Sequence, residues 1–356
     1  MTPLADLLRR RIAHDGPVSL ADFMATALGH PAHGYYATRD PFGVAGDFTT
    51  APEISQMFGE LIGLWCADLW VRTGRPSPVR LVELGPGRGT LMADALRAAR
   101  SVPGFREAIA VHLVETSPAL RERQAEALPD ADPTWHDRFD QVPEGPALVI
   151  ANELFDALPI RQFQMTDHGW RERLVGWDEK EDAFAFALSA HADPAAALIA
   201  ASGPPGTIAE ICPSGLSLAT AIAERVGGGG GGAIIVDYGH GGGTGDSFQA
   251  VRGHAFVDPL TDPGEADLTA HVDFGALSRA ARQTAARTFG PVTQRTFLEA
   301  LGIRERAHIL SASASPAQRR SIRSGIDRLT GTDAMGDLFK ALAIVHPDAG
   351  TPAGFT

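Results

Sequence analysis

Three glycines alternate in the stretch VELGPGRGTL: Gly85, Gly87 and Gly89, with Glu83 just before them and Thr90 just after. Glycine at this spacing lets the backbone take φ > 0 and lets a ligand approach it closely. The apolar residues Leu81, Val82 and Leu84 ahead of the turn, and the helix-like pattern behind it, predict a buried strand, a tight turn and a helix N-terminus. A dinucleotide fingerprint would read G-x-G-x-x-G and would hold a pyrophosphate on the helix start. Here the spacing is G-x-G-x-G, and the acid on the strand would repel a phosphate. Glu83 suits a cation.

S-adenosylmethionine (SAM) carries an ammonium and a sulfonium and no phosphate, so it meets that requirement. Two acids at later strand ends extend the reading. Glu115 closes the apolar run IAVHLV, where doubly wound folds place the acceptor for a ribose diol; the alternative is a cap for the helix opening at Ser117-Pro118. Asp137 follows the short stretch TWH and is placed to meet an adenine amino group, or to be a solvated turn residue. Past a further apolar run, ALVIA, stand Asn152, Glu153 and Asp156 within NELFD. A helix cap by Asn152 would account for one neighbouring acid more readily than for two. Two carboxylates suit a guanidinium, which they can grip bidentately and leave with its lone pair localised on one nitrogen. Methyl transfer is an in-line displacement that demands orientation of nucleophile and donor. The acids must also accept the proton that arginine loses after attack. Asn152, Glu153 and Asp156 are therefore the candidate catalytic residues. Asp237, at the end of AIIVD, is a candidate on the substrate side, and a turn after a buried strand is the plainer alternative. His271 and Asp273 could line the same cleft.

These residues need a scaffold. Alternating strand and helix patterns from residue 79 onward predict an α/β fold with a parallel sheet covered on both faces. Thr50-Ala51-Pro52-Glu53 matches a capping box, predicting one helix from there to Gly74 with a core face of Ile54, Phe58, Leu61, Ile62, Trp65 and Leu69. Residues 160–166, 170–177 and 183–188 read as antiparallel strands of an insertion. The six glycines 227–232 read as a flexible connector, residues beyond 301 as helices, and the last ten as frayed.

The chain has 356 residues and a net charge of −12. That balance argues against nucleic acid, which takes a basic footprint. Two cysteines without a CxxC pattern exclude a disulfide framework. The first residues lack the apolar core of a secretory signal, and no apolar run is long enough to span a bilayer. The expectation is a soluble, cytoplasmic protein. His30 and His33 have no further ligands at metal spacing, so no metal is expected. G-x-S-x-G is absent.

The stretches GYYATRDPFGVAGDFTTAPEISQMFGELIGLW, VELGPGRGTLMAD, HLVETSPALRERQ, ANELFDALPIRQF, AIIVDYGHG, ADLTAHVDF and TQRTFLEALGI together resemble the MidA (DUF185) family of class I methyltransferases. The resemblance spans nearly the whole chain, and GDFTTAPEISQMFGEL and DLTAHVDF are its specific parts. It implies a Rossmann-like seven-stranded core with a helical N-terminal extension and an antiparallel hairpin insertion. It implies SAM on Gly85, Gly87, Gly89 and Glu115, and substrate-side roles for Asp47, Thr49, Thr50, Glu153 and Asp156. From the family's mitochondrial members, which are complex I assembly factors, it implies methylation of an arginine on the NuoD/49-kDa-type subunit of that complex. The expected layout is an extension at 1–78, a core of 79–157 and 207–300, an inserted lid at 158–206, and C-terminal helices at 301–356. A non-catalytic assembly chaperone, and a methyltransferase for a small molecule or RNA, are the competing readings. Homodimer formation is left open.

Overall fold

The computed structural model describes residues 2–38, 49–199 and 202–355. They fall into two compact units. One comprises Met1–Phe48, Asp156–Leu216 and Gly242–Asp273; the other comprises Thr49–Phe155, Ser217–Gly241 and Phe274–Thr356.

The second unit is built on a mixed sheet. The strands on the main path of that sheet are β1 (Val79–Leu84), β2 (Ile109–Val114), β3 (Thr134–His136), β4 (Ala147–Asn152), β5 (Gly231–His240), β6 (Arg287–Thr293) and β7 (Phe339–Val345). They line up as β6-β7-β5-β4-β1-β2-β3. From β5 to β3 every neighbouring pair is parallel, while β7 runs antiparallel to both β5 and β6. The central strand β4 is buried at all six positions, as the apolar run of residues 147–151 requires when helices cover both faces. The helices that matter for the site are α1 (Gln56–Arg72), α2 (Thr90–Ala99), α3 (Pro118–Ala127) and α4 (Pro213–Gly229). The expected core face of α1 is buried at Phe58, Leu61, Ile62, Trp65 and Leu69.

The first unit holds an antiparallel sheet, in which residues 18–19, 169–178, 161–166 and 208–211 follow one another and 183–188 flanks 169–178. A three-stranded sheet of residues 255–257, 249–252 and 267–269 accompanies it. Leu4, Leu8, Phe23, Met24, Tyr35 and Leu268 lie in its core. The three strands expected from the Asp/Gly turn pattern are present.

Several expectations need correction. The six-glycine run is not a connector: Gly229 ends α4 and Gly231 begins β5. A Cβ on Gly231 would lie 2.0 Å from the Ala147 carbonyl oxygen, so close packing explains the glycine there. The predicted capping box does not form. Thr50 makes no side-chain cap, and the helix breaks into Ala51–Ile54 and α1, which is capped by Ser55. The C-terminal region is not all helical. Phe339–Val345, a short apolar run that periodicity cannot distinguish from helix, forms β7 between β5 and β6. Nor is the end frayed: the Trp65 Nε1 donates to the Ala353 carbonyl at 3.1 Å, and Phe355 packs on Phe297. Residues 49–78 group with the sheet of the second unit, while 207–216 and 242–273 group with the first; strand 208–211 pairs with 161–166 there.

Candidate functional site

The glycine turn lies at the carboxyl end of β1, where ligands bind in open α/β sheets. Gly85, Gly87 and Gly89 all have positive φ, at 64°, 53° and 82°. A Cβ on Gly85 would meet Leu154 Cδ1 at 2.9 Å, so the turn abuts the loop that follows β4. Gly89 is the N-cap of α2, and its amide bonds back to the Pro86 carbonyl at 2.8 Å.

Glu83 lies beneath this turn, 3% exposed. Burial pushes its carboxyl up to about 8, partly offset by the Met92 amide. Its Oε2 is buried and has no hydrogen-bond partner among the described residues. A buried carboxylate in that state gains from a nearby cation, which would favour its ionised form. The three left-handed glycines and this orphaned oxygen fit a donor that carries an ammonium. The folded-state value lies above the ordinary 4.5, so this group's stabilising contribution is full below about 4.5 and is lost as pH rises through about 8. Thermal melts from pH 5 to 9 without ligand should show the wild-type chain losing stability relative to Glu83→Gln as pH rises. A constant gap would refute the assignment.

Glu115 follows β2. Its Oε1 accepts the Ser117 amide at 2.8 Å and its Oε2 accepts Gln124 Nε2 at 3.3 Å. The expected alternative, a bond toward the start of α3, is thus present, with Ser117 itself capping the helix. Burial raises the Glu115 carboxyl, opposed by the Ser117 and Gln124 bonds. Asp137 lies just past β3 and is solvated, paired with Arg121 at 2.6 Å.

The loop after β4 is strained. Glu153 has φ of 50°, rare for a residue with a side chain. Its amide donates to the Val236 carbonyl at 2.9 Å. Its Oε1 accepts the Ala51 amide at 2.8 Å and Asn152 Nδ2 at 3.0 Å. That Ala51 amide opens the short helix Ala51–Ile54. From the same helix, Glu53 accepts the Thr90 hydroxyl at 2.6 Å, which is where its carboxylate goes in place of the capping box. Three segments remote in sequence, 51–53, 83–90 and 152–155, thus converge.

Asp237 lies within β5. It is fully buried. Its Oδ2 accepts the Leu154 and Phe155 amides at 3.1 and 2.9 Å, and its Oδ1 accepts the Tyr238 amide at 2.9 Å. It holds the strained loop in place. Asp237→Asn would set an amide NH2 against backbone donors and should cost about 3 kcal/mol, from charged hydrogen bonds worth roughly 1.5–3 kcal/mol each. Chemical denaturation checks this; an unchanged midpoint would remove the role.

Thr49 accepts Arg328 through its carbonyl at 3.4 Å, and Thr50 is the N-cap of the short helix. Asp47 lies outside the described residues. Asp156 belongs to the first unit, where it is buried and its carbonyl accepts the Ala270 amide at 2.9 Å. In that unit burial, then Asp267 and Asp156, push the Tyr36 phenol well up. Among the described residues no cluster of three or more His, Cys, Asp or Glu could hold a metal ion. Sequence reasoning missed Gln124, Glu53 and Thr90. The only available signal was a glutamine on the inner face of a helix.

A family profile described as an S-adenosyl-L-methionine-dependent methyltransferase matches residues 61–292. The chain is 38% identical over 363 residues to protein arginine methyltransferase NDUFAF7, mitochondrial, of Danio rerio, covering 95% of this chain and 86% of that protein. It is 39% identical over 371 residues to the Mus musculus protein of the same name, covering 97% and 85%. A crystal structure of a Burkholderia thailandensis protein bound to S-adenosyl-homocysteine (SAH) matches with a TM-score of 0.84 at 27% identity, over 99% of this chain and 93% of that one. The fold is that of a methyltransferase, SAM is the cofactor, and the enzyme transfers methyl groups. With a glycine turn and strand-end acids suited to that donor, and relatives along nearly its whole length, this chain belongs to the MidA family of SAM-dependent methyltransferases.

Proposed function

We propose that the enzyme methylates an arginine side chain of a protein, the NuoD/49-kDa-type subunit of respiratory complex I being the substrate. The observation that carries the arginine reading is Glu153, a carboxylate held on strained backbone at the end of β4, in a loop that touches the glycine turn. The names of the curated relatives support the same acceptor. The proposed location is the cytoplasm.

Bound at the turn, SAM supplies an electrophilic methyl on a positively charged sulfur. Gly85, Gly87 and Gly89 leave room for its close approach. Glu115 would accept the ribose hydroxyls, Asp137 would meet the adenine amino group, and Glu83 would balance the positive charge. Glu153 accepts an N–H of the guanidinium, localises the lone pair of the attacking nitrogen and takes up the proton released after transfer. Asn152 fixes that carboxylate through its Nδ2. Asp156, with Asp47, Thr49 and Thr50, keeps the acceptor-side role that the family resemblance implies. An arginine is always charged before it reacts, so an acid at the attacking nitrogen is a requirement of the chemistry.

The test is mass spectrometry of the complex I subunit from a strain lacking the gene, alongside incubation of the purified enzyme with that subunit and methyl-labelled SAM. Arginine methylation should vanish in the strain and appear in the incubation. Unchanged methylation in the strain would remove the proposed substrate, and label on a residue other than arginine would remove the arginine reading.

A further inference from the structure

We infer that Gln124 is a positioning residue, which sets the acid for the ribose in register with the glycine turn. Gln124 lies on α3 and is fully buried. A buried amide is tolerated only when its donors and acceptor find partners. Here each partner comes from a different part of the donor site. Nε2 donates to the Gly87 carbonyl at 2.7 Å and to Glu115 Oε2 at 3.3 Å. Oε1 accepts Trp135 Nε1 at 2.8 Å, from β3. One planar group therefore links the glycine turn, the acid after β2 and the strand that leads to Asp137.

Its effect on Glu115 is twofold. With Ser117 on Oε1 and Gln124 on Oε2, the carboxylate is held through both oxygens and cannot rotate freely. A vicinal diol then meets a preset acceptor, which avoids an ordering cost on binding. The amide also opposes the burial that raises the Glu115 carboxyl, so it helps to keep that group ionised. Gly89 adjoins the arrangement: its φ of 82° calls for glycine, and a Cβ there would only touch Gln124, at 3.4 Å from its Cα.

The inference rests on the assignment of Glu115 to the ribose diol, and the test separates the two. SAH and its 2′-deoxyadenosyl analogue are titrated calorimetrically against the full chain and three variants. The wild type should prefer SAH by about tenfold, the effect of one hydrogen bond to a charged group. Glu115→Ala should abolish the preference; if it does not, the ribose assignment fails. Gln124→Leu should shrink the preference to within about threefold, while the deoxy analogue binds nearly as before. If Glu115→Ala abolishes the preference and a folded Gln124→Leu retains it, Gln124 has only a structural role and the inference is overturned. Gln124→Glu, of equal volume, covers the case in which the leucine variant does not fold. It places a second carboxylate against Glu115 and the Gly87 carbonyl, so SAH affinity should be weak at pH 8 and recover toward pH 5 relative to the wild type. An affinity ratio to wild type that is flat with pH would overturn the inference.

Discussion

Gly85→Val should abolish cofactor binding, with SAH affinity falling by more than about 100-fold and the chain still folded. Two effects combine. The native φ of 64° is a conformation that β-branched residues almost never adopt. The first new carbon would also stand 2.9 Å from Leu154 Cδ1. Relief of that overlap takes a shift of the Leu154 side-chain end, so the defect falls first on the glycine turn itself. Gly16→Val is the matched control. Gly16 has φ of 88° with nothing within 4 Å of an added Cβ, so strain alone is imposed far along the chain from the turn. Its SAH affinity should match that of the wild type. Calorimetric titration of SAH decides the matter, and binding within tenfold of wild type in Gly85→Val would refute the close-approach role.

Glu153→Gln should leave SAH binding within about threefold and lower the rate of methyl transfer about 10³-fold, the loss typical of removing a charged group that acts in the transition state. The substitution is nearly isosteric and keeps one oxygen to accept the Ala51 amide and Asn152 Nδ2. The loop therefore keeps its shape, and φ of 50° is as strained for glutamine as for glutamate. What disappears is the negative charge that, in the proposed mechanism, holds a guanidinium and takes its proton. Backbone strain at a residue with a side chain is tolerated where its surroundings over-determine it. Here the Val236 carbonyl and the three amides on Asp237 do so. Single-turnover transfer to the acceptor, measured alongside SAH titration, tests this. Transfer within tenfold of wild type would exclude Glu153 as the acid.

The parts of the site that the sequence revealed are those whose signals are local. The apolar run of β1, the alternating glycines and Glu83 lie within a few residues of one another, and each responds to a rule of short range: burial of a parallel strand, positive φ, or charge next to a turn. Glu115 was legible for the same reason, as an acid that directly ends an apolar strand. The hairpin strands of residues 161–188 announced themselves through turn residues.

Tertiary structure decided what depends on contacts between distant segments. Glu53 satisfies every local requirement of a capping box, yet its carboxylate takes the Thr90 hydroxyl, because a cap is worth only about 1 kcal/mol and a partner across the fold can outweigh it. The glycine run has the composition of a linker, but the Ala147 carbonyl leaves no room for a side chain at Gly231. Phe339–Val345 is too short and too uniformly apolar to declare itself, and it became β7 because β5 and β6 each presented an open edge to it. Asp237 reads as a strand-end acid available to a ligand; only the folded chain brings the Leu154 and Phe155 amides to it. From its sequence alone this protein declares a strand, a glycine turn and a cationic donor, since neighbours in the chain specify them. The strained loop at Glu153, tied to the Ala51 amide, and the glutamine buried between the glycine turn and Glu115 take their places only once segments far apart in sequence have packed together.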